Sequence, residues 1–79
     1  MVRKIGNDDR NILTGTNVFD ELLGMGGDDV LFGLDGDDHL DGGAGADLVY
    51  GGTGNDSIFG RGEDDRLLGE DGNDRLFGE

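Results

Sequence analysis

Hydrophobic positions along the chain fall in short clusters that return at a fixed spacing. The triplets are Ile12-Leu13-Thr14, Glu21-Leu22-Leu23, Val30-Leu31-Phe32, His39-Leu40-Asp41, Leu48-Val49-Tyr50, Ser57-Ile58-Phe59, Arg66-Leu67-Leu68 and Arg75-Leu76-Phe77. The middle residue is aliphatic every time, while its neighbours range from valine to glutamate and arginine. A centre that is always apolar between variable flanks is the mark of strand residues alternating out, in, out. The pattern therefore predicts eight three-residue strands joined by six-residue turns. Leu13, Leu22, Leu31, Leu40, Val49, Ile58, Leu67 and Leu76 face inward.

The turns carry the same period. Glycine stands at 6, 15, 24, 33, 42, 51, 60, 69 and 78, and it defines place one of a nine-residue unit. Place six holds Asn11, Asp20, Asp29, Asp38, Asp47, Asp56, Asp65 and Asp74. Place four is glycine at 27, 36, 45, 54 and 72, with Asp9, Val18 and Glu63 in the remaining units. Glycines at places one and four are expected to hold positive φ, which a Cβ disfavours. The clearest copies read GGAGADLVY (42–50) and GGTGNDSIF (51–59). GMGGDDVLF, GLDGDDHLD, GRGEDDRLL and GEDGNDRLF keep the frame with changes.

These nonapeptides resemble the glycine- and aspartate-rich repeats of the RTX (repeats-in-toxin) family. The resemblance is close over residues 15–78 and loose over 6–14. It implies an all-β fold, a right-handed parallel β-roll (a β-solenoid) with two nonapeptides per coil and about four coils. Residues 1–14 are then a lead-in with a degenerate repeat, and 15–79 are the repeats proper, within one domain.

Composition sharpens the picture. Of 79 residues, 18 are glycine and none is proline, cysteine or tryptophan; 19 are acidic and 6 basic, for a net charge of −13. Without cysteine there is no disulfide, thiolate zinc site or thiol nucleophile. No apolar run exceeds three residues, which excludes a membrane-spanning helix or a hydrophobic signal segment. A phosphate-covered partner would be repelled, so nucleic acid is excluded, and the charge favours cations. Eight inward aliphatic side chains cannot offset the ordering of this chain while acidic turns repel one another. The cation-free chain is expected to be disordered.

Calcium fits the need, because it accepts six to eight carboxylate and carbonyl oxygens in tolerant geometry. The candidate carboxylate ligands are Asp20, Asp29, Asp38, Asp47, Asp56, Asp65 and Asp74. Candidate carbonyl ligands lie in the turn backbone at Gly27, Gly36, Gly43, Gly45, Gly52, Gly54 and Gly72. In a roll, turns 6–11, 24–29, 42–47 and 60–65 stack on one side, and 15–20, 33–38, 51–56 and 69–74 on the other. Three gaps per side allow up to about six ions. The strongest gaps should be Asp29/Asp47, Asp38/Asp56 and Asp56/Asp74, where both turns keep glycine at place four and aspartate at place six. Glu63 weakens Asp47/Asp65, and gaps that use Asn11 or Asp20 are the weakest. Asp28, Asp35, Asp37, Asp64 and Asp71 read as turn caps or solvated charge.

No catalytic constellation is visible. His39 is the only histidine and sits at an outward strand position; HExxH, a phosphate loop and an EF-hand frame are all missing. The sequon Asn55-Asp56-Ser57 falls inside a repeat turn. Splitting the strands by an 18-residue period leaves one outer face apolar through Val30, Phe32, Leu48, Tyr50 and Leu68. Such a face suits a second copy or a neighbouring domain. The chain stops as a ninth unit begins, as expected of a piece of a longer protein or of a self-stacking roll. The resemblance implies export by a type I route and an extracellular location. The rival readings are an acidic disordered interaction segment and a passive assembly scaffold.

Overall fold

The computed structural model describes residues 2–62 and 64–78. Its strands are β1 (Arg3–Ile5), β2 (Ile12–Thr14), β3 (Glu21–Leu23), β4 (Val30–Phe32), β5 (His39–Asp41), β6 (Leu48–Tyr50), β7 (Ser57–Phe59), β8 (Arg66–Leu68) and β9 (Arg75–Phe77). From β2 onward these are the triplets the hydrophobic pattern predicts. Odd strands form one parallel sheet in the order β1-β3-β5-β7-β9, and even strands a second in the order β2-β4-β6-β8. Every pair is offset by 18 residues, as in Leu22↔Leu40 and Leu31↔Val49. Two nonapeptides thus make one coil, and the chain winds as a β-solenoid of about four coils.

Leu22, Leu31, Leu40, Val49 and Ile58 are fully buried between the two sheets, with Leu13 and Leu67 packed against them. Leu76 stays 47% exposed because no later coil covers it in the described structure. Burying an aliphatic side chain contributes about 1.5–3 kcal/mol, so the core rests on very few residues.

Residues 3–5 add a strand that the hydrophobic pattern does not predict. They form a strand in frame with the repeat, pairing Lys4 with Leu22. Lys4 occupies the inward place held by an aliphatic residue in every later unit. Its ammonium donates to the Thr14 carbonyl at 2.9 Å. In later coils the matching carbonyls of Phe32 and Tyr50 accept the N–H of Gly15 and Gly33 at 2.8 Å. Lys4 therefore does for Thr14 what a preceding glycine does elsewhere, and it satisfies an edge carbonyl.

The role of the place-one glycines also differs from expectation. Positive φ occurs at places two and four, as at Gly43 (81°) and Gly45 (93°), and once at place three, at Gly62 (33°), but not at place one. Place-one glycines are instead required by close approach, since a Cβ on Gly33 would lie 2.6 Å from the Gly51 carbonyl oxygen. Place two is left-handed even where it is not glycine, at Met25, Leu34, Arg61 and Glu70. An L side chain there costs about 1–2 kcal/mol, partly offset by glycine's greater chain entropy. We expect Met25→Gly and Leu34→Gly each to stabilise the folded roll by about 0.5–1 kcal/mol. The check is a rise in the urea midpoint of the folded protein.

Candidate metal centre

The place-six side chains build two ladders, one at each side of the solenoid. Asp38 Oδ1 accepts the backbone N–H of Asp20 at 2.9 Å; Asp56 and Asp74 accept those of Asp38 and Asp56 at 2.8 Å. On the other side Asp29 accepts the N–H of Asn11 at 2.7 Å, and Asp47 and Asp65 accept those of Asp29 and Asp47 at 2.8 Å. Each aspartate reaches back to the coil before it. This follows from the repeat, which places each aspartate immediately before an outward strand residue, with its side chain folded under the turn.

The second carboxylate oxygen has a different fate. In Asp29, Asp38, Asp47 and Asp56 it is buried and accepts no hydrogen bond. Those four side chains are at most 3% exposed. A buried ionised carboxylate with an idle oxygen is costly unless a cation or a proton meets it. For Asp29, Asp38 and Asp56, the place-one glycine of the same turn stands between that oxygen and a carbonyl of the following coil. A Cβ on Gly24 would stand 2.6 Å from Asp29 Oδ2 and 2.7 Å from the Gly42 oxygen. The same position on Gly33 is 2.7 Å from Asp38 Oδ2 and 2.6 Å from the Gly51 oxygen; on Gly51 it is 2.6 Å from Asp56 Oδ2 and 3.0 Å from the Gly69 oxygen. Only glycine leaves this oxygen-lined space open.

Burial accordingly pushes the Asp38 and Asp47 carboxyls up to about 7 and Asp56 up to about 6. Neighbouring carboxylates add to it: Asp56 and Asp20 at Asp38, Asp29 and Asp65 at Asp47, Asp74 at Asp56. Asp29 is raised for the same reason, with Asp28 beside it. Asp20 goes the other way. Burial raises it too, but hydrogen bonds from Thr16 and the Val2 N–H outweigh burial and hold it below its ordinary value.

Sequence-predicted residues are thus brought together in two columns, but not as clusters of side chains. Among the described residues no three acidic or histidine side chains converge on one point. Successive carboxylates are separated by the rise of a coil, about 4.8 Å in a parallel sheet. Backbone carbonyls would have to complete any coordination shell, which suits a hard cation and not a soft one. Gly27, Gly36, Gly43, Gly45, Gly52, Gly54 and Gly72 all lie in the stacked turns. The carbonyls that flank the same glycines as the idle oxygens belong to Gly42, Gly51 and Gly69. Their signal was the unbroken place-one series, which sequence reasoning assigned to backbone torsion. Glu63, expected to weaken one gap, lies outside the described residues.

Other polar turn side chains have structural work. Asp28, Asp37 and Asn55 at place five accept the N–H of Ala46, Asn55 and Asn73 one coil later, at 2.8–2.9 Å. Asp35 accepts the Thr53 hydroxyl at 2.6 Å. His39 is a half-buried outward strand residue tilted against Phe59 at 5.2 Å.

A stacked, carboxylate-lined parallel solenoid of nonapeptides defines a class of metal-binding repeat. The RTX calcium-binding nonapeptide repeat matches this chain in four copies, over residues 5–40, 14–49, 23–58 and 50–79. The chain belongs to that family, whose repeats are structural calcium-binding units and are typical of secreted proteins. No match was found among curated proteins or solved structures.

Proposed function

We propose that this chain is a calcium-triggered folding module with no catalytic role, disordered in the absence of calcium and assembled into the roll when ions enter the gaps between stacked turns. The observation that carries this reading is the row of buried, unpartnered Oδ2 atoms on Asp29, Asp38, Asp47 and Asp56. Bound calcium would supply positive charge and accept oxygens; Asp29, Asp38, Asp47, Asp56, Asp65 and Asp74, with turn carbonyls, would hold it. Residues 1–14 serve as the lead-in, and 15–79 carry the repeats. Folding outside a calcium-poor cell interior suits a secreted protein.

Circular dichroism during a calcium titration tests this. Strand signal should appear cooperatively, reverse with chelator, and respond poorly to magnesium, which demands tighter octahedral geometry. A chain equally structured, or equally unstructured, with and without calcium would refute the reading.

A second reading concerns the outer face of the four-stranded sheet. Phe32 and Tyr50 stack there at 5.1 Å, and Leu68 is exposed beside them. With Val30 and Leu48 they form an apolar strip suited to a second copy or a neighbouring domain. Light scattering on the same calcium-loaded sample reports self-association.

A further inference from the structure

The turn gaps are not alike, and the difference lies in the first coil. In the first coil as in later ones, a place-six oxygen and the place-one carbonyl of the turn 18 residues on flank the same glycine. A Cβ on Gly15 would lie 2.7 Å from Asp20 Oδ2 and 3.0 Å from the Gly33 oxygen, much as one on Gly51 would from Asp56 Oδ2 and the Gly69 oxygen. What differs is that the place-six oxygens of turns 6–11 and 15–20 are already bonded within their own turn. Asp20 Oδ2 accepts the Thr16 N–H at 2.5 Å and the Thr16 hydroxyl at 2.9 Å, and that hydroxyl also reaches Oδ1 at 3.0 Å. On the other side Asn11 brings a neutral amide, and its Oδ1 accepts the Asn7 N–H at 2.8 Å.

Place two decides between these states. At Gly43, where it is left-handed, the N–H donates to Asp41 Oδ1 at 3.0 Å and not to the place-six Asp47. Thr16 and Asn7 are not left-handed, and their N–H groups turn onto the place-six side chain of their own turn. The side chains of these two residues then close the turn locally. Val18 donates to the Thr16 hydroxyl at 3.4 Å, and Asp9 to Asn7 Oδ1 at 2.8 Å.

We infer that the first coil is a metal-independent cap, in which Thr16 and Asn7 fill the role that ions take further along. The gaps 6–11/24–29 and 15–20/33–38 then hold no calcium, and the chain binds no more than four ions where the stacking of turns would allow six. Thr16 is the residue that closes the Asp20 gap. The inference rests on the calcium reading above but is separable from it.

Native mass spectrometry of the whole calcium-loaded chain, with circular dichroism alongside, tests it. The wild type should carry at most four ions. Asp20→Asn should leave the number unchanged, whereas Asp38→Asn should lose one. Thr16→Gly, by letting place two turn left-handed, should free Asp20 Oδ2 and add one ion. Five or six ions on the wild type, or an ion lost in Asp20→Asn, would overturn the inference while leaving calcium binding intact. The wild-type number decides the matter by itself if either first-coil variant fails to fold. No bound calcium and no dichroism response would instead overturn the calcium reading, and this inference with it.

Discussion

Leu40→Ala should remove most of the folded roll under conditions that keep the wild type fully folded. Leu40 is fully buried, pairs laterally with Leu22 and Ile58, and belongs to a cluster of five buried side chains. Truncating a buried leucine typically costs about 2–5 kcal/mol, through lost transfer energy and the cavity left behind. In most domains a large core shares that loss. Here the neighbours are held by turns in every coil, so the site has little freedom to collapse. The loss should show as a urea midpoint shifted sharply down and a calcium midpoint shifted up, because ion binding must now offset a weaker core. Leu76→Ala is the control. Leu76 occupies the same place in its unit but is 47% exposed, and its removal should cost less than about 1 kcal/mol. Equal losses in the two variants would show that the core is not where stability resides.

In the absence of calcium, the folded form should be more populated at pH 5 than at pH 8. Asp38 and Asp47 titrate near 7 in the fold and Asp56 near 6, all raised from about 3.8. A carboxyl raised in the folded state favours folding when protonated. Its contribution is whole below its ordinary value near 3.8 and is lost as pH climbs through 6 to 7. Asp20 has the opposite sign, and its contribution is lost only on acidification below its ordinary value. A pH near 5 therefore suits both. The groups facing the raised carboxyls along the columns are acidic, so no nearby base cancels the effect. Protons and calcium compete for the same oxygens, and the calcium midpoint should rise as pH falls below 7. Dichroism of chelated protein across this range is the measurement. Strand signal that falls steadily on acidification from pH 8 to 5 would contradict the assignment.

Much of the architecture was legible in the chain. The triplet rule located eight strands to the residue, because an always-aliphatic centre is a direct record of which side faces in. The 18-residue pairing followed from the family resemblance, and the fold has it. Less legible were features that depend on which way a backbone group points. Lys4 gave no strand signal, since its inward place is polar and its function is to bond an edge carbonyl. The place-one glycines were attributed to torsion because sequence cannot separate a residue that must bend from one that must make room. Nor did the spelling of the Thr16 turn reveal that Asp20 is already satisfied. That depends on the torsion of place two, which Met25 and Leu34 adopt against their own preference and Thr16 does not. Asp28 and Asp37 read as turn caps or solvated charge, and that their bonds reach the next coil was not legible, because solvated and stacked carboxylates look alike in a sequence.

The uniform 18-residue offset bears on the speed of assembly. Each strand pair and each rung of the aspartate ladders joins positions about 18 residues apart, and no strand pair spans the length of the chain. Parallel sheets usually fold slowly, since distant segments must meet before any pairing rewards the loop that closes. Here every closure has the same modest length, and each coil laid down is the template for the next. The roll is a zipper whose closures are all of one length, and once one coil forms, the others can follow by equal steps in either direction.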